Sequence, residues 1–153
     1  MRISTAVALF LLAGLAIAAD KPDLSGTWRL EGESHLVEGV LPAITIVQKE
    51  SELHVADASA KTNNKNAIDC NTVGKQCEAK LDGEPVKVSY WFNGPVLVEM
   101  LSFGKDGDRV IKTKRSLSDD GQKMTVEVIQ IVPTGKPPVK AVFVREQQVA
   151  SGQ

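Results

Sequence analysis

The sequence has few of the side chains from which metal sites and active sites are built. Its two histidines, His35 and His54, form neither an H-x-H nor an H-E-x-x-H pattern, so a zinc site is not expected. The glycine–lysine pairs that begin at Gly74, Gly104 and Gly135 lack the spacing and the Ser or Thr of a phosphate-binding loop. No serine stands in a pattern that marks a nucleophile. We therefore expect no metal, no cofactor and no catalysis.

Long apolar runs are also scarce, and the one that stands out lies at the N-terminus. Arg2 precedes the uncharged run from Ala6 to Ile17, and Ala16-Ile17-Ala18 has the small-x-small pattern of a cleavage site. The run is shorter than the ~20 apolar residues of a membrane-spanning helix. We predict that residues 1–19 are a secretory signal peptide cleaved after Ala18 or Ala19; the alternative is a retained membrane anchor. The protein would then be exported, to the periplasm or the extracellular space, with no stable membrane span.

Neither sign of charge is in excess. The chain has 18 basic and 19 acidic residues, and loss of Arg2 with the signal peptide leaves 17 basic residues and a net charge of −2. Such a balance gives no general attraction to nucleic acids or to anionic membranes. We therefore expect no nucleic-acid partner.

The two cysteines, Cys70 and Cys77, both lie in the mature part of the chain. An even pair of cysteines in an exported protein is most simply a disulfide, and this one would clip a predicted hairpin. A redox-active pair would need closer spacing, usually C-x-x-C. Closing so short a loop stabilises the folded state by about 2.5 kcal/mol in the chain-entropy treatment.

The rest of the chain has the pattern of short strands, and no segment shows the hydrophobic periodicity of a helix. Alternation is clear from Ala43 onward, and Asp82-Gly83 and Asn93-Gly94 are strong hairpin-turn signals. The predicted strands lie at Thr27–Leu30, 43–49, near Leu53 and Val55, Ala67–Cys70, Cys77–Leu81, Val86–Phe92, Val96–Phe103, Arg109–Leu117, Lys123–Val132 and Val139–Arg145. We predict one all-β domain over residues 20–146, an up-and-down antiparallel β-barrel of roughly eight to ten strands, followed by a polar tail over residues 147–153. The alternative is a two-sheet sandwich with Greek-key crossovers.

Gly26-x-Trp28 on the first predicted strand resembles the G-x-W signature of the lipocalins and of their wider superfamily, the calycins. In that superfamily the tryptophan lies at the closed end of the barrel and packs against a basic residue of the last strand. The resemblance gives that role to Arg145, with its guanidinium on the indole face. The segment Leu117–Val126 also resembles the L-S-x-D-G-x-x-L-T hairpin of small exported bacterial lipocalin-like proteins.

The resemblance implies an exported binding protein for a small hydrophobic ligand. On the strand Arg109–Leu117, residues of one parity share a face, and Ile111 and Leu117 suit the barrel interior, which places Arg115 inside as well. Arg115 would then either receive the carboxylate of an apolar ligand, as interior arginines do in the fatty-acid-binding relatives, or pair with Glu99 or Glu127 of the chain itself.

Aromatic side chains are concentrated at Tyr90-Trp91-Phe92, where Trp91 must face away from its two neighbours. Tyr90, Phe92, Met100 and Phe103, together with Arg115, form the predicted ligand-contacting set. Packing in the core is the alternative role for the aromatic residues.

The second functional hypothesis is an interaction protein, such as a periplasmic or secreted inhibitor of proteases or lysozyme. Its partner would be another protein, bound by an exposed loop at the barrel rim. The two candidate loops are Glu31–Pro42 and Ala58–Asn66.

Overall fold

The described part of the chain consists of ten antiparallel β-strands and contains no helix. A computed structural model describes residues 20–32, 40–59 and 66–147. The predicted signal peptide over residues 1–19, and all of the polar tail except Gln147, lie outside these residues. The strands are β1 Gly26–Leu30, β2 Ala43–Lys49, β3 Glu52–Asp57, β4 Ile68–Asn71, β5 Cys77–Leu81, β6 Glu84–Asn93, β7 Val96–Phe103, β8 Arg109–Leu117, β9 Lys123–Val132 and β10 Val139–Arg145. With no helix among them, the described residues include no apolar helix long enough to cross a membrane.

All ten strands belong to one sheet, in the order β4-β3-β2-β1-β10-β9-β8-β7-β6-β5. Each strand pairs with its neighbour in sequence except at β4 and β5, and β1 also pairs with β10, the last strand. The sheet therefore curls into a nearly closed up-and-down barrel. This confirms the predicted fold and strand count, and it excludes the two-sheet sandwich.

The prediction of a hairpin between β4 and β5 was wrong, because these two strands are the free edges of the sheet. Their connection docks on β6 instead: Val73 forms a bridge with Trp91, and the Gly74 amide donates to the Tyr90 carbonyl at 2.8 Å. The side chain of Asn71 holds the connection in shape by accepting from the amides of Val73 and Lys75, both at 3.1 Å.

The gap between β4 and β5 is bridged near both of its ends. The predicted disulfide between Cys70 and Cys77 is confirmed and joins the strands with their Cα atoms 5.7 Å apart. Towards the other end, Asn66 donates to the Asp82 carboxylate at 2.9 Å and accepts from the Asp82 amide at 2.7 Å. Covalent and hydrogen-bonded bridges thus replace the missing strand ladder.

Trp28 fills one end of the barrel, which we call the closed end. Its side chain is fully buried, and its indole Nε1 donates to the Leu24 carbonyl at 2.9 Å. The guanidinium of Arg145, its register partner on β10, lies 4.3 Å from the ring centroid, as the calycin resemblance implies. Such a stack contributes about 0.5–2 kcal/mol.

The same guanidinium ties three parts of the chain together and explains the glycine of the G-x-W pattern. Arg145 donates through Nε to the Gly121 carbonyl at 3.0 Å and through Nη1 to the Ser25 carbonyl. A Cβ atom on Gly26 would lie 2.7 Å from Arg145 Nη1, and the φ of Gly26 is +142°. The backbone angle therefore favours glycine at this position, and a side chain there would also displace the Arg145 guanidinium.

Replacing Trp28 by alanine should lower the free energy of unfolding by about 3–5 kcal/mol, because a fully buried indole leaves a large cavity. Trp91→Ala is the matched control, since Trp91 is only half-buried and lies on the opposite face from Tyr90. We expect a clearly smaller loss for Trp91→Ala in urea unfolding followed by far-ultraviolet circular dichroism. Equal losses in the two variants would contradict the closed-end packing described above.

Replacing both cysteines, as Cys70→Ala/Cys77→Ala, should cost about 2.5 kcal/mol of stability, because the link closes a short loop in the unfolded chain. The measurement is the urea midpoint of the double variant against that of the oxidised wild type. Wild type treated with dithiothreitol should reproduce the shift. An unchanged midpoint in both samples would show that the β4–β5 gap is held without the disulfide.

Candidate functional site

A cavity of about 450 Å³ lies inside the barrel, towards the end opposite Trp28. Its mouth lies at the strand termini farthest from Trp28 and is formed by Val40, Leu41, Asn66, Leu81 and Asp82. The walls are mainly aliphatic and come from every strand except β1, with Ile44, Val55, Ile68, Leu101, Ile111, Val126 and Val128 among them. The volume falls within the range of small-molecule sites in proteins.

Strand alternation decides which side chains reach this cavity. On β7, Glu99, Leu101 and Phe103 face inward, and on β8 Ile111, Thr113 and Arg115 do the same. Arg115 is therefore inside the barrel, as its position on the strand predicted. Lys114, the residue before it, lies on the outer face and pairs with Glu127 at 3.3 Å.

Arg115 belongs to a buried polar cluster formed with Glu99 and Tyr90. Its Nη2 lies 3.3 and 3.4 Å from the two carboxylate oxygens of Glu99, and the Tyr90 hydroxyl donates to Glu99 Oε2 at 2.5 Å. The Arg115 and Glu99 side chains are only 9% and 4% exposed. Of the two partners that the sequence suggested for Arg115, Glu99 is the one the structure brings to it.

The cluster leaves part of the guanidinium unused. Nε and Nη1 of Arg115 are buried and form no hydrogen bond with any group in the described chain. A buried donor without an acceptor costs about 1–3 kcal/mol. Arg115 and Glu99 both line the cavity, whereas Tyr90 lies behind Glu99 and does not.

The pKa values in the cluster are shifted strongly by its surroundings. Burial raises the pKa of Tyr90 well above its ordinary value, and the neighbouring charge of Glu99 raises it further, although Arg115 opposes the shift. Burial works to lower the pKa of Arg115, but the charges and hydrogen bond of its partners outweigh burial, so that the pKa is raised. At neutral pH Arg115 is thus a charged guanidinium and Tyr90 a neutral phenol.

The predicted ligand-contacting residues are divided between the cavity, the core and the outer surface. Arg115 and Phe103 line the cavity. Tyr90 reaches it only through Glu99, and Phe92 packs against the core away from the cavity, with Lys21 Nζ 5.6 Å from its ring centroid. Met100 is not a lining residue, because it has the opposite parity to Phe103 on β7 and lies beside Ser89 and Lys112 in the sheet.

Sequence reasoning missed most of the aliphatic wall. Leu101 shares the inward parity of Phe103, and Val126 faces Arg115 across the β8–β9 ladder, so alternation could have identified both. Val40, Leu41 and Asn66 come from connections, where no periodic signal exists. Most of the two predicted binding loops, namely residues 33–39 and 60–65, lies outside the described residues.

The mouth has a polar rim on one side. The guanidinium of Arg109 lies 3.9 Å from the centroid of the Phe103 ring and pairs with Glu84 at 3.4 Å. Within the residues described, no group of three or more His, Cys, Asp or Glu side chains is placed to hold a metal ion. The site therefore has an apolar wall, a paired cation at the mouth and one buried polar cluster.

Tyr90 is the only tyrosine of the chain, so its ionisation can be followed without interference. Because the folded state raises its pKa above the unfolded value of about 10, the stability that the neutral phenol contributes is fully present below that pH. That contribution is lost as the pH rises from there towards the folded pKa. We expect tyrosinate absorbance to appear only together with the loss of circular dichroism in an alkaline titration.

The urea-unfolded protein is the control for this titration and should form tyrosinate with a midpoint of about 10. Tyrosinate that formed at that pH in the folded protein, with its circular dichroism unchanged, would contradict a buried phenol bonded to Glu99.

No protein-family model matches this sequence, and no curated protein sequence matches it.

Solved structures do resemble the barrel. Lipid binding protein 8 from Caenorhabditis elegans matches with a TM-score of 0.62 at 15% identity, over 80% of this chain and 95% of that one. The REP1-NXSQ fatty acid transporter matches with a TM-score of 0.58 at 15% identity, over 81% and 96%. Secretory abundant heat soluble protein 4 from Ramazzottius varieornatus matches with a TM-score of 0.57 at 12% identity, over 81% and 95%. At such low identity these similarities establish the fold, and this chain has the calycin-like barrel that its first strand suggested.

Proposed function

We propose that this protein binds one small hydrophobic molecule inside its barrel and carries out no chemistry on it. The observation that supports this is the cavity of about 450 Å³, which has aliphatic walls and one buried polar cluster. Aliphatic walls remove an apolar ligand from water, and a few polar groups orient it. A barrel filled by side chains along its whole length would leave no such space.

The structural neighbours support the same proposal. One is named as a fatty acid transporter and another as a lipid binding protein, and both match over most of their length. Neither name describes an enzyme. Because a fold alone does not determine function, the proposal depends on the cavity in this chain, and the neighbours add support to it.

Export is part of the proposal. Residues 1–19 would be removed as a signal peptide, and residues 20–146 would form the binding domain in the periplasm or the extracellular space. The Cys70–Cys77 disulfide supports this compartment, because disulfides persist in oxidising surroundings. One structural neighbour is also named as a secretory protein.

The alternative of a protease or lysozyme inhibitor stays a prediction. Leu30 and Ala43 border the first predicted binding loop, and Asp57 and Ile68 border the second, so both loops join strands at the mouth end of the barrel. A protein partner at these loops and a ligand in the cavity would be adjacent to each other. Binding measurements with a cavity variant separate the two.

Replacing Leu101 by tryptophan should weaken binding of Nile red, a neutral apolar dye, by at least about tenfold, because the larger side chain occupies the cavity. The measurement is dye fluorescence titrated against mature wild type and variant. Met100→Trp is the matched control, since Met100 neighbours Leu101 on β7 but has the opposite parity and does not line the cavity. It should bind the dye as wild type does.

Native mass spectrometry of the wild type with Nile red should show one dye per protein. Absence of dye binding to the wild type, or equal weakening by both tryptophan variants, would refute a ligand site inside the barrel. The inhibitor hypothesis would then become the leading one.

A further inference from the structure

Every described charge in the cavity is either acidic, and so repels an anion, or already paired. Five charged residues line the cavity: Asp82, Glu84, Glu99, Arg109 and Arg115. Three of them are acidic and two are basic, so the lining as a whole is negative. Arg109, at the mouth, is paired with Glu84.

Arg115 is the only basic residue of this lining that lies deep in the barrel, and its charge is already neutralised by Glu99. The Glu99 carboxylate already accepts hydrogen bonds on both oxygens, from Tyr90 and from Arg115. A ligand carboxylate placed on Arg115 would bring a second negative charge beside the first. Like charges that share one buried site oppose each other, and a buried charge without its own partner is costly.

Although its charge is neutralised, Arg115 still has hydrogen-bonding capacity. Nε carries one N–H and Nη1 carries two, and neither nitrogen has a partner in the described chain. A neutral oxygen acceptor satisfies such donors without adding charge. Both Glu99 oxygens, in contrast, already accept hydrogen bonds from Tyr90 or Arg115.

We infer that the ligand carries a neutral oxygen acceptor, such as an ester, ketone or aldehyde carbonyl, which Arg115 binds, and that Glu99 determines this preference by excluding carboxylates. The inference deepens the proposed function and depends on it, since it names the head group of the same apolar ligand. Glu99 thereby acts as a specificity-determining residue. The site would discriminate against free fatty acids in favour of their uncharged derivatives.

The test compares methyl laurate with laurate, which share one apolar chain and differ in head-group charge. Displacement of Nile red from the mature wild type measures both affinities at neutral pH. We expect methyl laurate to bind at least about tenfold more tightly than laurate. In Glu99→Gln, where the carboxylate charge is gone and Arg115 is no longer neutralised, the order should reverse, with laurate tightened by about tenfold or more.

Glu127→Gln is the matched control, because it removes the same charge from β9, which adjoins the strand of Arg115, but on the outer face, where Glu127 pairs with Lys114. It should keep the wild-type order. Arg115→Met should weaken methyl laurate without favouring laurate.

The wild-type comparison tests the inference even if the Glu99 variant fails to fold. Laurate that binds the wild type as tightly as methyl laurate does, or more tightly, overturns the inference while leaving a ligand site in the barrel intact. So does the failure of both compounds to displace bound Nile red. If Nile red itself does not bind, the proposed function fails, and the inference fails with it.

Discussion

The barrel depends on the pairing of its first strand with both the second strand and the last. β1 has only five residues, yet it joins β2 on one side and β10 on the other, and thereby brings the two ends of the chain together. Trp28 stands in the middle of β1 and fills the closed end, and Arg145 of β10 covers its ring. The same guanidinium also donates to the carbonyls of Gly121 and Ser25. The Arg145 side chain therefore connects the residues before β1, β1 itself and the β8–β9 turn.

Closure at β1 leaves the barrel with one break, between β4 and β5. An open pair of edges exposes unpaired backbone groups and invites association with other chains. Here the Cys70–Cys77 disulfide and the reciprocal Asn66–Asp82 hydrogen bonds hold the edges together near the two ends of the break. The arrangement keeps Ile68 and Leu81, one from each edge strand, in the wall of a single cavity.

Stability alone does not account for the buried cluster of Arg115, Glu99 and Tyr90. A buried ion pair contributes little net stability because both ions lose their hydration, and an aliphatic pair of similar volume would serve the core as well. The cluster lies in the wall of a cavity and retains unused donors on Arg115. Selective recognition of a polar group on an apolar ligand would account for both the burial and the unused donors.

Local sequence patterns determined the strands, the turns and the side of the sheet on which each residue lies. Asp-Gly and Asn-Gly turns separate runs of alternating residues. Parity, with the apolar Ile111 and Leu117 marking the inner face, placed Arg115 inside the barrel, and Lys114 lies outside it. The same rule would have excluded Met100 from the cavity, since Met100 and Phe103 have opposite parity. The G-x-W pattern, read with Arg145 on the last strand, located the closed end.

Only the tertiary structure decided which inward residues meet and how much space remains between them. Glu99 rather than Glu127 pairs with Arg115 because Glu99 lies inside the barrel while Glu127 faces outward to Lys114. The connection after β4 docks on β6, so Cys70 and Cys77 link two free edges and not a hairpin. The volume and the lining of the cavity depend on both the strand register and the curvature of the barrel. Both arise from contacts between residues distant in the chain, whereas a sequence pattern reports only what each residue's near neighbours impose.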